Sequence, residues 1–65
     1  MITVTRLNGG RFVLNAELIR VVEENPDTVV TLTSGDKYVV KERMTEVVSK
    51  AVAYGRLLRG LEPRS

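Results

Sequence analysis

Chemistry in this chain would have to come from carboxylates, amines or hydroxyls, because the sequence contains no histidine and no cysteine. That excludes thiol and imidazole catalysis, disulfide frameworks and zinc held by its usual ligands. Paired acids are the first remaining option, and Glu23 and Glu24 are adjacent. In an extended segment, neighbours point to opposite faces, so these two cannot share a substrate. Asp27 and Asp36 stand beside Pro26 and Gly35, where an Asp already has a turn-forming role. Ser34 sits in such a turn with no base beside it, a poor setting for a nucleophile. Asn8-Gly9-Gly10 would cradle a phosphate only if a helix and a Lys-Ser/Thr pair followed, and Arg11-Phe12-Val13-Leu14 follows instead. No set of residues amounts to an active site. The expectation is a protein that is not an enzyme, with no cofactor and no metal.

Binding is the other route to function. Arg6, Arg11, Arg20, Lys37 and Lys41 could form a basic face for nucleic acid, as small β-domains often do. They are interleaved with Glu17, Glu23, Glu24, Asp27, Asp36 and Glu42, and the net charge is only +2. The aromatics are limited to Phe12, Tyr38 and Tyr54, the first two in phase with the core. A solvated mixed-charge face is the preferred reading, and RNA or DNA binding is the alternative. Basic excess is confined to the C-terminal segment, where Arg43, Lys50, Arg56, Arg59 and Arg64 meet only Glu46 and Glu62.

The elements that must position these residues are legible in order. Ile2–Leu7 alternates as a strand, Asn8-Gly9-Gly10 favours a type I′ hairpin turn, and Arg11–Leu14 returns with Phe12 and Leu14 on one face. Asn15 is a good N-cap for one helical turn through Leu18, which tucks Leu18 inward. Ile19–Glu42 then reads as an antiparallel meander of Ile19–Glu23, Thr28–Thr33 and Lys37–Lys41. Asn25-Pro26-Asp27 and Ser34-Gly35-Asp36 supply its turns. Apolar residues of both parities occur in these strands: Val21 and Val22, Val29 and Val30, Val39 and Val40. Such a pattern predicts a sheet covered on both sides, by its own bend or by another copy of the chain.

A helix should follow over Met44–Leu58, with Met44, Val47, Val48, Ala51, Gly55 and Leu58 as its apolar stripe. Gly55 costs roughly 1 kcal/mol relative to Ala, which a close approach or a late kink would explain. Gly60 ends the helix, leaving 1–60 as one domain and 61–65 as a short flexible tail. Lys50, Arg56 and Arg59 lie off the stripe towards the C-terminus, where cations suit the helix dipole. Tyr54, Leu57, Leu58 and Leu61 extend past what one small sheet covers. With Val13, Val21, Val29 and Val39 they form the candidate oligomer or partner surface, and Arg56 and Arg59 are its candidate basic contacts. A chain of 65 residues buries little surface. Without disulfide or metal, self-association is the remaining support, so a homo-oligomer is expected. No basic leader with an apolar run and no stretch of about 18 apolar residues is present, which predicts a cytoplasmic protein without a membrane span. Peripheral contact with an anionic membrane through the basic helix is a further possibility.

The run from Leu7 to Glu42 resembles the flagellar protein FlbD family, also called swarming motility protein SwrD. The resemblance rests on Leu7-Asn8-Gly9, Phe12-Val13-Leu14-Asn15, Leu18-Ile19, Pro26-Asp27-Thr28, Leu32-Thr33, Gly35 and Val40-Lys41-Glu42, continuing into Glu46-Val47-Val48. It implies a cytoplasmic bacterial protein, at the inner face of the membrane near the flagellar motor, that raises stator-driven motor power by protein–protein contact. The suspected partners are flagellar motor or stator proteins. The alternative becomes a regulator of flagellar gene expression that binds RNA or DNA. Two departures stand out. Arg43 occupies a position where the family commonly has Ser, and it cannot complete a capping box with Glu46, so the helix starts weakly or begins at Thr45. Ser34-Gly35-Asp36 replaces an Asn-Gly turn followed by a basic residue. The expected fold is α+β, a small curved antiparallel five-stranded sheet followed by one C-terminal amphipathic helix.

Overall fold

The structure, a computed structural model, describes residues 1–59, with side chains described through Gly55. Its elements are β1 (Ile2–Thr5), β2 (Arg11–Leu14), a 3-10 turn (Ala16–Leu18), β3 (Ile19–Glu24), β4 (Thr28–Leu32), β5 (Lys37–Val40) and α1 (Met44–Arg59). The class is α+β, as the patterning implies. The single five-stranded sheet is not what forms. The strands divide into a two-stranded sheet β1-β2 and a three-stranded sheet β3-β4-β5. The 3-10 turn between β2 and β3 redirects the chain, so those strands do not pair. At the opposite corner the backbones of the sheets meet through a bridge of Arg6 with Val40 and the Lys41 amide donating to the Thr5 carbonyl at 2.8 Å.

The sheets and α1 close on one core. Ile2, Val4 and Leu14 come from the first sheet, Val30, Leu32 and Val40 from the second, and Val47 from the helix. Phe12 and Tyr38 join the sheets, with ring centroids 5.5 Å apart and planes tilted by 45°. Strand alternation puts Val22, Val30 and Tyr38 on the inner face of the larger sheet, and Val21, Thr31 and Lys37 with Glu23, Val29 and Val39 on its outer face.

Part of the double parity in β3 has a local cause. The register with β4 shifts between Ile19 and Val21, making Arg20 the extra residue of a bulge. The bulge returns both Ile19 and Val22 to the core side, although three positions separate them. Leu18 is not tucked inward. It is 45% exposed, and Ala16 makes the core contact instead. The cap is as expected: Asn15 Oδ1 accepts from the Glu17 amide at 3.1 Å.

Both glycine hairpins use the same turn, and neither is type I′. In each, backbone hydrogen bonds, between Arg6 and Gly10 and between Leu32 and Asp36, close a loop of three residues, Leu7-Asn8-Gly9 and Thr33-Ser34-Gly35. Gly9 and Gly35 alone take positive φ, +99° and +95°. This is a type I turn closed by a glycine bulge, which needs one left-handed residue where type I′ needs two. Asn8 Oδ1 accepts from the Gly10 amide at 2.9 Å, and Ser34 Oγ bonds Asp36 Oδ2 at 2.9 Å. The β3-β4 connection holds a cis Asn25-Pro26 bond.

On α1, Val47 is fully buried and Met44, Ala51 and Tyr54 are partly buried, while Val48 and Val52 are 45% and 46% exposed. The contact stripe is therefore rotated away from Val48. A Cβ built on Gly55 meets nothing within 4 Å, so no close approach among the described residues accounts for that glycine. Residues 60–65, including the expected helix stop and tail, lie outside the described residues.

Candidate functional site

The free edge of β1 shows how the helix is held against the core. The outward amide of Thr5 donates to Glu42 Oε1 at 2.8 Å, and its hydroxyl donates to Glu42 Oε2 at 2.8 Å. Lys50 Nζ from α1 donates to the Thr3 carbonyl at 2.9 Å. An edge strand's unpaired backbone groups thus find partners in the β5-α1 link and the helix, as an exposed edge requires. Burial alone would raise the Glu42 carboxyl, but the two Thr5 bonds and the nearby Lys50 charge outweigh it and hold the pKa below its ordinary value.

Helix α1 is capped from a distance. Met44 is its first residue, and Arg43 offers no capping side chain. Glu24 of β3 takes that role: Oε1 accepts from the Met44 amide at 3.4 Å and Oε2 from Arg43 Nε at 2.6 Å. Glu46 accepts from the Arg43 amide at 3.1 Å, the second half of a capping box. The helix start is firmer than Arg43 alone predicts. The carboxylates also oppose the positive end of the helix dipole. Neither Glu24 nor Glu42 announces these roles locally, because their partners lie 19 to 37 positions away in sequence.

Beside this cap lies an open groove of about 460 Å³ lined by Leu7, Glu24, Pro26, Asp27, Thr28, Val40, Lys41 and Arg43. Its two acids, Glu24 and Asp27, balance its two bases, Lys41 and Arg43, which gives no preference for an anion or a cation. Among the described residues, no group of three or more His, Cys, Asp or Glu side chains comes together as a metal site.

The cations proposed for nucleic acid take different positions. Arg6 lies over the Phe12 ring with its guanidinium carbon 4.2 Å from the centroid. Phe12 is thereby packed between Arg6 and Tyr38 and is not a free stacking platform. Arg11 belongs to the outer side of the two-stranded sheet, Arg20 to the bulge, Lys37 to the outer side of the three-stranded sheet, and Lys41 to the groove.

The apolar candidates separate more usefully. Val21, Val29 and Val39 lie together on the outer face of the three-stranded sheet, where Val21 is 38% and Val39 41% exposed. Val13 is 57% exposed on the other sheet. Tyr54 turns towards the core, and its hydroxyl bonds Glu17 Oε1 at 3.4 Å. The side chains of Arg56, Leu57, Leu58 and Arg59, with all of Leu61, lie outside the described residues. No described helix is long and apolar enough to cross a membrane.

Comparison with curated proteins and with solved structures gave no match. Residues 1–58 match the model of FlbD, flagellar and swarming motility proteins, and that match takes in both sheets and nearly all of α1. The chain belongs to the FlbD family of flagellar and swarming motility proteins.

Proposed function

We propose that this chain supports swarming as a non-catalytic factor that acts by protein–protein contact and raises stator-driven flagellar motor power. It works in the cytoplasm, at the inner face of the membrane near the motor. The observation that carries the contact reading is the outer face of β3-β4-β5, where Val21, Val29 and Val39 are contiguous and, among the described residues, Val21 and Val39 stay exposed while Val29 is partly buried. A partly exposed apolar sheet face rimmed by polar residues is the form interaction sites take. Family membership supplies the motility context.

The test is removal of the gene from its own bacterium, with swarming, filament number and the torque of tethered cells measured together. Filaments should remain, swarming should fail, and torque per motor should drop. Loss of filaments or altered flagellar transcripts, with torque unchanged, would sink this reading and favour a gene regulator.

A further inference from the structure

The pattern on the outer sheet face specifies what covers it. The face is two rows deep: Val21, Thr31 and Lys37 in one row, Glu23, Val29 and Val39 in the next. Val21 and Val39 occupy one diagonal of this rectangle, and Glu23 and Lys37 occupy the corners of the other. Both charged residues are exposed, and neither joins an ion pair among the described residues. Thr31, between Val21 and Lys37, is only 3% exposed, so the middle of the face is already dry.

We infer that this face is covered by the same face of a second copy, related by a two-fold axis along the Val21–Val39 diagonal. Rotation about that line sets Val21 on Val21 and Val39 on Val39, and brings Val29 beside Thr31. It also brings Glu23 of each copy within about 4 Å laterally of Lys37 of the other, within reach of these side chains, since the rectangle is about 9.6 Å by about 6.8 Å. The two pairs form together or not at all, because a two-fold interface is self-complementary. The sheets then cross steeply, as in orthogonal sheet packing. A two-fold axis parallel or perpendicular to the strands would instead lay each charge over a valine, so the charges select the diagonal. Three strands at about 4.8 Å spacing make a small patch, near the low end of specific interfaces, so the dimer should form at micromolar or higher concentration. The inference uses the same valine face as the contact reading, but sedimentation tests self-association alone and the deletion strain tests motility alone, so a failure of one is distinguishable from a failure of the other.

Sedimentation equilibrium of the full chain at rising concentration tests it, with Glu23→Lys, Lys37→Glu and the double exchange as variants. Both positions are exposed, and a circular dichroism melt of each variant checks that it folds. The wild-type mass should rise towards twice the 7.2 kDa of one chain. Each single variant should need at least tenfold more protein to dimerise. The double exchange should restore wild-type behaviour, and an equimolar mixture of the two single variants should dimerise again as a heterodimer. Three results would overturn the inference: a monomer up to several hundred micromolar, which leaves the face to a different protein; single variants that associate like wild type; or a mixture that shows no rescue.

Discussion

The two faces of the three-stranded sheet are both rich in valine and differ in what lies against them. On the inner face Val30 and Val40 are 0% and 1% exposed, closed by the first sheet and by Val47 of α1. On the outer face Val21 and Val39 remain 38% and 41% exposed. The same residue type on the same strands therefore does two jobs. Inside, it holds the fold together; outside, it is available to another molecule. A valine in a strand reports only that its face is meant to be covered, and topology decides whether the cover comes from the chain itself.

Truncation should expose this difference most strongly. Val30→Ala removes two methyl groups from a closed core and should cost about 2–3 kcal/mol. That is a large share of the roughly 3–10 kcal/mol that a chain of this length holds. Val29→Ala, one position away on the outer face, should cost less than about 1 kcal/mol in dilute solution. Urea denaturation of both at low micromolar concentration makes the comparison, and equal losses would mean that the outer face is closed within one chain.

The next effect concerns the ties that keep α1 on the inner side. Glu42→Gln weakens two hydrogen bonds from Thr5 and should cost about 1–2 kcal/mol at neutral pH. The folded pKa of Glu42 lies below the ordinary 4.5. Its contribution is therefore present above that value and lost as pH falls through the folded pKa. Stability measured from pH 6 down to pH 3 should fall less steeply in Glu42→Gln than in wild type, and parallel curves would show that the carboxylate adds nothing. Glu24→Ala removes the remote cap and should cost about 1 kcal/mol, read as a lower melting temperature with loss of helical signal. Most of that should come from the Met44 amide, because Arg43 is 74% exposed and such ion pairs contribute little.

The smallest effect has the opposite sign. Gly55→Ala should stabilise the domain by between about 0.5 and 1 kcal/mol, since a Cβ there meets nothing within 4 Å. A destabilised variant would place some element of a partner or of the C-terminal residues against that position.

Much of the architecture was readable from local pattern. Alternation located the strands, the glycine pairs located two hairpins, and the helical spacing located α1. What failed was anything that depends on distant positions. The separation into two sheets turns on β2 and β3 not pairing, which no local pattern states. The bulge at Arg20 imitates two-sided burial in β3, because one inserted residue shifts the phase of the valines that follow. The exposed Leu18 and Val48 reflect where the second sheet and helix meet, and Glu24 and Glu42 find partners far along the chain. Of the candidate surface, the cluster of Val21, Val29 and Val39 was visible in the parity of the meander. Tyr54 belonged to the core because the helix is rotated towards Val47 and Ala51.

The division of labour between the faces is tested most directly in the bacterium, by complementing a deletion strain with Val39→Lys. This edge-strand position tolerates lysine, and the substitution charges the outer face while leaving the core intact. With protein level matched to wild type on immunoblots, the variant should fail to restore swarming. Full swarming by Val39→Lys at wild-type level would show that the outer valine face is not where this protein makes its functional contact.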